Sequence, residues 1–515
     1  MKKVLSKKKQ VLVSAIIGIA FIIFFTTVVT ELQSSNKKPA YNSIEENGSS
    51  SNKLRNIAIT QFTTPYIKEY SLAENTWPNA ILADKNGTVW TIGSRSHTLI
   101  KLDPRQGITS SYLITGDSTE DELSKSSLMA WTMIQDNGSK IWFSRLGENK
   151  MWSFNPSTTK FTSLQSNSSA FQMKIGQESA NIWFVTLTGD VLGVIQKIGT
   201  DIDSHYVIME FSVGNGTTPT GLFVKKDHVW VTQLSSGKLL QFMVARNEKG
   251  LVADVSKVSE VHNLFEPTDV LVSGNDTIWI TEHGTSTITR YLPDSEPIRF
   301  VTSSNEYQTT TLPLWLRESP DGKGIWFNEH GGNRVSFFDT AHMKLTEYEI
   351  PTRPTDGYVV YPLNISVDPT DGNKLWFSEW NTDKVGVLDR SVPDPFDISS
   401  DSKVTVTESS FNSQYKINIQ ISKTGNPNLS FYDNSTIYLK KSGPVDVGGR
   451  LANMTLELVQ NEINLSAIKD NKIVSLLVGN YSHILPGNYY LTISAGNGII
   501  TKSIFIDLNI RNTGK

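Results

Sequence analysis

Short apolar runs with both alternating faces hydrophobic recur along the chain, each centred on a tryptophan. They read TVWTIGS at Trp90, KIWFSRL at Trp142, NIWFVTL at Trp183, HVWVTQL at Trp230, TIWITEH at Trp279, GIWFNEH at Trp326 and KLWFSEW at Trp376, seven copies at intervals of 41 to 52 residues. In the Trp326 copy, Ile325 and Phe327 point one way and Trp326 the other, so the strand needs cover on both faces, as a sheet between two others does. The stretch IWFNEHGGNRVSFFD, residues 325–339, then turns at Gly331-Gly332-Asn333 and returns as a second β-branched and aromatic run, the pattern of a hairpin. Asn86-Gly87, Asn137-Gly138, Asp321-Gly322 and Asp371-Gly372, ahead of four of the tryptophans, supply the positive φ of a tight turn. A period of 40 to 50 residues built from short strands signals propeller blades, whereas a helical solenoid would carry a 3.6-residue period. The pattern therefore predicts an all-β fold: a seven-bladed β-propeller of four-stranded blades over residues 61–398, around a central channel.

The ends of the repeat region qualify this picture. YIKEYSLA, residues 66–73, matches KLTEYEIP, residues 344–351, at the outer edge of the Trp326 copy, while the Trp376 copy lacks such a strand. The N-terminal strand is therefore expected to complete the last blade and close the ring, removing two exposed edges. Beyond about residue 400 the tryptophan motif stops. Alternating strands at 403–407, 415–421, 455–459, 489–493 and 503–508, separated by Gly/Asn/Pro turns, predict a C-terminal β-sandwich over 399–515. Its segment LPGNYYLTISAGNGIITKSIFIDL resembles the last hairpin of immunoglobulin-like modules, for which spacing or adhesion is the expected job.

Composition excludes more than it names. With 515 residues, 38% hydrophobic residues and a net charge of −3, the chain has room for two or more domains and shows no signature of a nucleic-acid partner. The absence of cysteine excludes disulfides and thiolate metal sites. Residues 1–10 hold five lysines, expected as a cytoplasmic basic tail, and residues 11–30 are uncharged and long enough to cross the roughly 30 Å of a bilayer core. They read as one N-terminal transmembrane helix, with a removable signal as the alternative. Residues 31–60 read as a flexible tether. The expectation is a single-pass protein of the cell membrane, with that membrane as a partner and the C-terminal bulk outside the cytoplasm. Twelve N-x-S/T sequons, among them Asn86, Asn137, Asn275, Asn434 and Asn453, fit an extracellular glycoprotein.

The repeated W-[FI]-x-E followed by N-[RK]-[VI], best seen in WFNEHGGNRVSFFD and WFSEWNTDKVGVLD and more weakly in WITEHGTSTITRY, resembles the streptogramin lyase (virginiamycin B lyase) family over roughly residues 62–392. The resemblance implies a seven-bladed propeller that linearises a cyclic depsipeptide by elimination across an ester, using Mg²⁺, a catalytic histidine and supporting acidic residues on one face. Where the family carries Pro-His-[AG]-[IV], this chain has Pro267-Thr268-Asp269, Pro313-Leu314-Trp315 and Pro362-Leu363-Asn364. The family's general base is therefore not carried over.

Equivalent strand ends lie at one height around the axis, which predicts an arc of Glu282, Glu329 and Glu379 on one rim, with His283 and His330 beside the first two. The three glutamates are candidate ligands for Mg²⁺ or another divalent metal, and His283 and His330 are candidate catalytic bases. Asp269, Trp315, Arg317, Tyr361 and Trp380 are candidate ligand-binding residues, with Glu318 and Tyr358 in the same cluster. The alternative is that the glutamates are repeat residues bonding within the scaffold. Successive strand residues face opposite ways, so Glu282 and His283 act together only if the strand ends or bulges there. Two readings follow. One is a surface platform that binds a small molecule or a protein; the other is a metal-dependent carbon–oxygen lyase opening a cyclic ester or lactone. Fold alone does not choose between them.

Overall fold

The computed structural model describes residues 57–58, 61–63, 65–114, 128–176, 180–199, 205–293, 295–302, 311–352, 360–407, 414–424, 435–447, 449–479 and 484–511. The expected basic tail, transmembrane helix and most of the tether lie outside them, as do Asn434 and Tyr358. Among the described residues, no helix is long and apolar enough to cross a membrane. Regular structure there is strand, apart from single 3-10 turns at Trp380–Thr382 and Leu465–Ala467.

Seven antiparallel sheets each contain one repeat tryptophan on the second strand. Their first strands are Pro78–Ala83, Met133–Gln135, Gln172–Ile175, Pro219–Lys225, Pro267–Val272, Pro313–Glu318 and Ile365–Val367. Each of these touches the next in that order, and the last touches the first, which closes a ring of seven blades around a central channel. Trp326, Ile325 and Phe327 are all buried, as cover on both faces requires. The tryptophans also pin the preceding turn: the indole N–H groups of Trp90, Trp142 and Trp376 donate to Asp84, Asp136 and Asp368 at 3.0, 2.8 and 3.0 Å.

One device repeats in all seven blades. The residue entering the third strand, namely His97, Asn149, Asp190, Gly237, Ser286, Asn333 or Asp383, has a φ between 50° and 63°. Its carbonyl accepts from the residue that leaves the outer strand: Ile114, Ser166, Val213, Leu264, Thr302, Ile350 and Leu72, at 2.8 to 3.1 Å. Asn and Asp tolerate this left-handed conformation better than most residues, which gives the asparagine of N-[RK]-[VI] a backbone role. In the seventh blade the acceptor's partner is Leu72, because Ile67–Ser71 pairs with Lys384–Asp389 as the outer strand. Two tether residues, Ile57–Ala58, pair with Thr109 and Ile108 on the outer edge of the first blade.

The C-terminal region forms two facing sheets. One comprises Phe396–Ser399, Tyr415–Lys423, Asn471–Gly479 and Thr455–Leu458. The change of sheet thus falls between Asp389 and Phe396, a little before the expected boundary at 398/399, because Phe396 already pairs with Lys423. The other sheet is not separate from the propeller. Its last strand, Ile500–Arg511, pairs with the outer strand Lys344–Glu349 of the sixth blade to make one continuous nine-stranded sheet. Lys502 bonds Asp394 and Asp397 at 2.7 and 3.3 Å, Lys344 bonds Asp397 at 2.8 Å, and Phe505 packs on Phe300 and Phe338. The module for which spacing or adhesion was the expected job thus also covers a blade edge.

Candidate functional site

The mouth of the channel is built by a second repeated bond. In six blades the fourth residue after the repeat tryptophan donates its backbone N–H to a residue just ahead of the first strand. The pairs are Ser94 to Trp77, Leu146 to Met129, Leu234 to Thr218, His283 to Glu266, His330 to Leu312 and Trp380 to Tyr361, at 2.7 to 3.3 Å. Trp77, Thr218, Glu266, Leu312 and Tyr361 each precede a proline and have a φ of 49° to 53°. A non-glycine residue held there costs about 1–3 kcal/mol, so the fold around it must impose the conformation.

This geometry separates the residues expected to act as pairs. Glu282, Glu329 and Glu379 end the second strands and turn into their own blades, whereas His283, His330 and Trp380 belong to the mouth. Glu282 is fully buried and pairs with Arg299 of its outer strand at 3.1 Å, while also accepting from Thr289 and the Phe265 N–H. Glu329 accepts from Ser336 at 2.6 Å and lies beside Glu347, with Arg334 as the nearby cation. Burial, then the Glu347 charge, holds the Glu329 carboxyl well above the usual carboxylate range. Glu379 repeats the arrangement with Glu69 of the closing strand and Lys384; burial, then Glu69, raises its pKa well above the ordinary value. The strand register explains the likeness: Arg299, Glu347 and Glu69 occupy equivalent outer-strand positions, opposite Thr289, Ser336 and Gly386.

The expected metal triad therefore does not form. Each carboxylate is turned into its own blade, and among the described residues no three His, Asp or Glu side chains are grouped so as to hold a metal ion. These residues do not fit the Mg²⁺ site that the sequence resemblance implies.

The two histidines meet each other instead, with ring centroids 5.1 Å apart and both side chains buried. Burial, helped by His330, pushes the His283 pKa well below the ordinary value, and burial alone lowers His330 to about 4. Neutral imidazoles enclosed in this way have the wrong solvent access for a base that must reach a bulky substrate. Beyond them, Trp380 stacks edge-on against Trp77 at 5.1 Å and Tyr361 at 6.0 Å, and Arg95 lies 5.2 Å from the Trp77 ring. Asp383 sets this corner by accepting from the N–H groups of Asn75 and Trp77, both at 2.8 Å.

Asp269, Trp315 and Arg317 lie deeper, on first strands inside the channel. Trp131, Phe171 and Trp315, from the second, third and sixth blades, form a row with centroids 5.1 and 5.4 Å apart that spans the channel as an aromatic plug. The Trp315 indole donates to the Leu363 carbonyl at 2.6 Å. Under the plug, Gln172 of the third blade donates across to Asp269 of the fifth at 2.8 Å. Glu318, at the end of the same strand as Trp315 and Arg317, is exposed.

Sequence reasoning passed over Trp77, Trp131, Phe171, Gln172, Lys174 and Asp383, which lie outside the tryptophan motif or in its variable positions. It also passed over polar residues two places after the tryptophan, although the repeat displays them. Thr281 and Ser378 reach the first strand of the next blade, bonding the Leu314 and Asn79 carbonyls, and Asn328 reaches the segment just ahead of it, bonding the Pro362 carbonyl. A single Ser, Thr or Asn inside an otherwise apolar strand was the available signal.

No family model matches the chain, and no curated protein matches it. Among solved structures it resembles virginiamycin B lyase from Staphylococcus aureus, at 19% identity over 63% of this chain and 98% of that one, with a TM-score of 0.49. A structure of a catalytically inactive variant of that enzyme with quinupristin gives the same values, 19% identity, 63% and 98% coverage, and 0.49. The chain is similar in fold to streptogramin lyases. The extracellular domain of a putative one-component system from B. thetaiotaomicron matches 90% of this chain with 59% of its own, at 14% identity and a TM-score of 0.42. The ring of seven blades rests on the strand pairings given above.

Proposed function

We propose that the chain is an extracytoplasmic binding platform, carried at a membrane by residues 11–30, whose contact surface is the channel mouth where the seventh and first blades meet. Its ligand is a small molecule or protein surface that presents apolar or aromatic groups. The observation that carries this reading is the set Trp77, Tyr361 and Trp380. Two of its three rings are half-buried, and two of its three backbones are held in the left-handed region beside a proline. Rigid, amphipathic aromatic rings give contact area at little entropic cost, and a backbone device shared with three other blades holds two of them in place here.

A second reading, the metal-dependent lyase, has the W-[FI]-x-E resemblance in its favour and the buried histidines and engaged glutamates against it. Quinupristin separates the two. Binding is followed by tryptophan fluorescence, and ring opening by chromatography, since elimination leaves the mass unchanged. The platform reading expects saturable quenching that Trp77→Ala and Tyr361→Ala weaken at least tenfold, with no ring-opened product. Metal-dependent product formation would overturn it, and quenching indifferent to both substitutions would remove the mouth as the contact surface.

A further inference from the structure

We propose that the channel beneath the aromatic plug is a binding site for a small oxyanion, a carboxylate or a phosphate-like group, held between Lys174 of the third blade and Arg317 of the sixth. The site is independent of the mouth, from which Trp131, Phe171 and Trp315 divide it, and its ligand enters from the opposite end of the channel. Lys174 lies two residues along an unbroken strand from Gln172 and so shares its face, while Arg317, just past the bulge between Pro313 and Leu316, reaches to 3.6 Å from the Asp269 carboxylate that Gln172 bonds.

The charges there do not balance. Among the described residues, Asp269 is the one acidic side chain acting on the two cations, and its oxygens are committed. Oδ1 accepts from Gln172 and from the Val270 N–H, both at 2.8 Å; Oδ2 accepts from the Leu316 N–H at 2.8 Å and lies 3.6 Å from Arg317 Nη1. One carboxylate therefore answers one of two cations. The Arg317 guanidinium is fixed by the Leu316 carbonyl at 2.8 Å and by the Trp315 ring 5.8 Å away, yet keeps 22% of its side chain open to solvent. Lys174 is half-buried; its backbone pairs with Trp183 in the sheet, whereas its ammonium makes no hydrogen bond or ion pair with the described residues. Burial, then Arg317, lowers the Lys174 pKa to about 7 against the opposing pull of Asp269.

An ammonium and a guanidinium that share a single carboxylate are unfavourably placed, and the molecule meets this by making the amine easy to deprotonate. An oxyanion in the gap supplies the missing charge, with the planar fork of arginine on one side and a point charge on the other.

The test is calorimetric titration of the full chain with sulfate, inorganic phosphate and acetate in separate arms, which distinguishes a tetrahedral anion from a carboxylate. Sulfate, which does not titrate near neutrality, carries the pH comparison. Binding the anion raises the Lys174 pKa, so affinity is full below pH 7 and falls by up to about tenfold per unit above it. Lys174→Met should weaken binding at least tenfold and abolish this pH dependence, while Lys174→Arg keeps binding and loses the pH dependence. Should Lys174→Met fail to fold, acylation of Lys174 in the wild-type chain, read by mass spectrometry at pH 7, gives the answer. Saturating anion should slow it at least tenfold. Absence of saturable binding in every arm, binding unchanged in Lys174→Met, or acylation indifferent to anion would each overturn the proposal.

Discussion

Replacing Trp315 with alanine tests whether the channel is closed by contact across its axis. The indole is fully buried, stacks against Phe171 at 5.4 Å and donates to the Leu363 carbonyl at 2.6 Å. Removing a buried tryptophan side chain costs about 3–5 kcal/mol, and the aromatic contact contributes about 0.5–1.5 kcal/mol of that beyond area. A carbonyl left without its donor adds about 1–3 kcal/mol unless water entering the cavity bonds it. Trp315→Ala should therefore lower stability by about 4–8 kcal/mol, or about 3–5 kcal/mol if water bonds the carbonyl, a large share of the 5–15 kcal/mol typical of a domain. Trp315→Phe keeps a ring against Phe171 and loses the hydrogen bond, so a smaller loss of about 1–3 kcal/mol is expected. Urea unfolding followed by tryptophan fluorescence measures both, and a cycle with Phe171→Ala isolates the ring contact, whose coupling should be about 0.5–1.5 kcal/mol. A loss below about 1 kcal/mol for Trp315→Ala, or no coupling to Phe171, would refute a packed plug.

Further outcomes follow from the buried charges and the covered edge. Arg299→Met removes the cation paired with buried Glu282 in the fifth blade and should cost about 3–5 kcal/mol in urea unfolding, with Arg299→Met/Glu282→Gln recovering most of it; equal losses for both would contradict the pairing. The folded pKa of Glu379 is raised, so the stability it contributes is fully present below the unfolded value near 4.5 and is lost as pH rises through the folded pKa. Unfolding midpoints of Glu379→Gln should accordingly fall less over that rise than those of the wild type, and parallel profiles would count against a proton held between Glu379 and Glu69. Ending the chain after Arg390 uncovers the edge strand Lys344–Glu349 together with Phe300 and Phe338. Light scattering should then show concentration-dependent association, and a truncated propeller that stays monomeric would mean the edge needs no cover.

Much of the fold was legible because one signal was written seven times: a tryptophan strand buried on both faces, spaced at the length of a four-stranded blade. The likeness of residues 66–73 to 344–351 pointed to the strand that now pairs with Lys384–Asp389. The junction with the sandwich was hidden, because edge pairing between Lys344–Ile504 and their neighbours is a backbone event that leaves no side-chain pattern. The site was less legible for a related reason. Equivalence around the ring put Glu282, Glu329 and Glu379 at one height, but height does not state direction, and these carboxylates face their own outer strands. Alternation decides it: Glu282 turns inward to Arg299 and His283 to the mouth. Neither the Gln172–Asp269 bond nor the Trp131–Phe171–Trp315 row could be read locally, since the bond and the Phe171–Trp315 contact of the row join blades that are not neighbours in sequence.

The central claim is that the mouth binds without acid–base chemistry from its two histidines. Nitrogen-15 chemical shifts of the His283 and His330 rings, followed from pH 8 to pH 3.5, test it most directly. The account predicts neutral rings throughout the physiological range, with His330 taking its proton at about 4 and His283 well below the ordinary value near 6.5. A midpoint near 6.5 for either ring would mean that water reaches it, and would return a general base to the mouth.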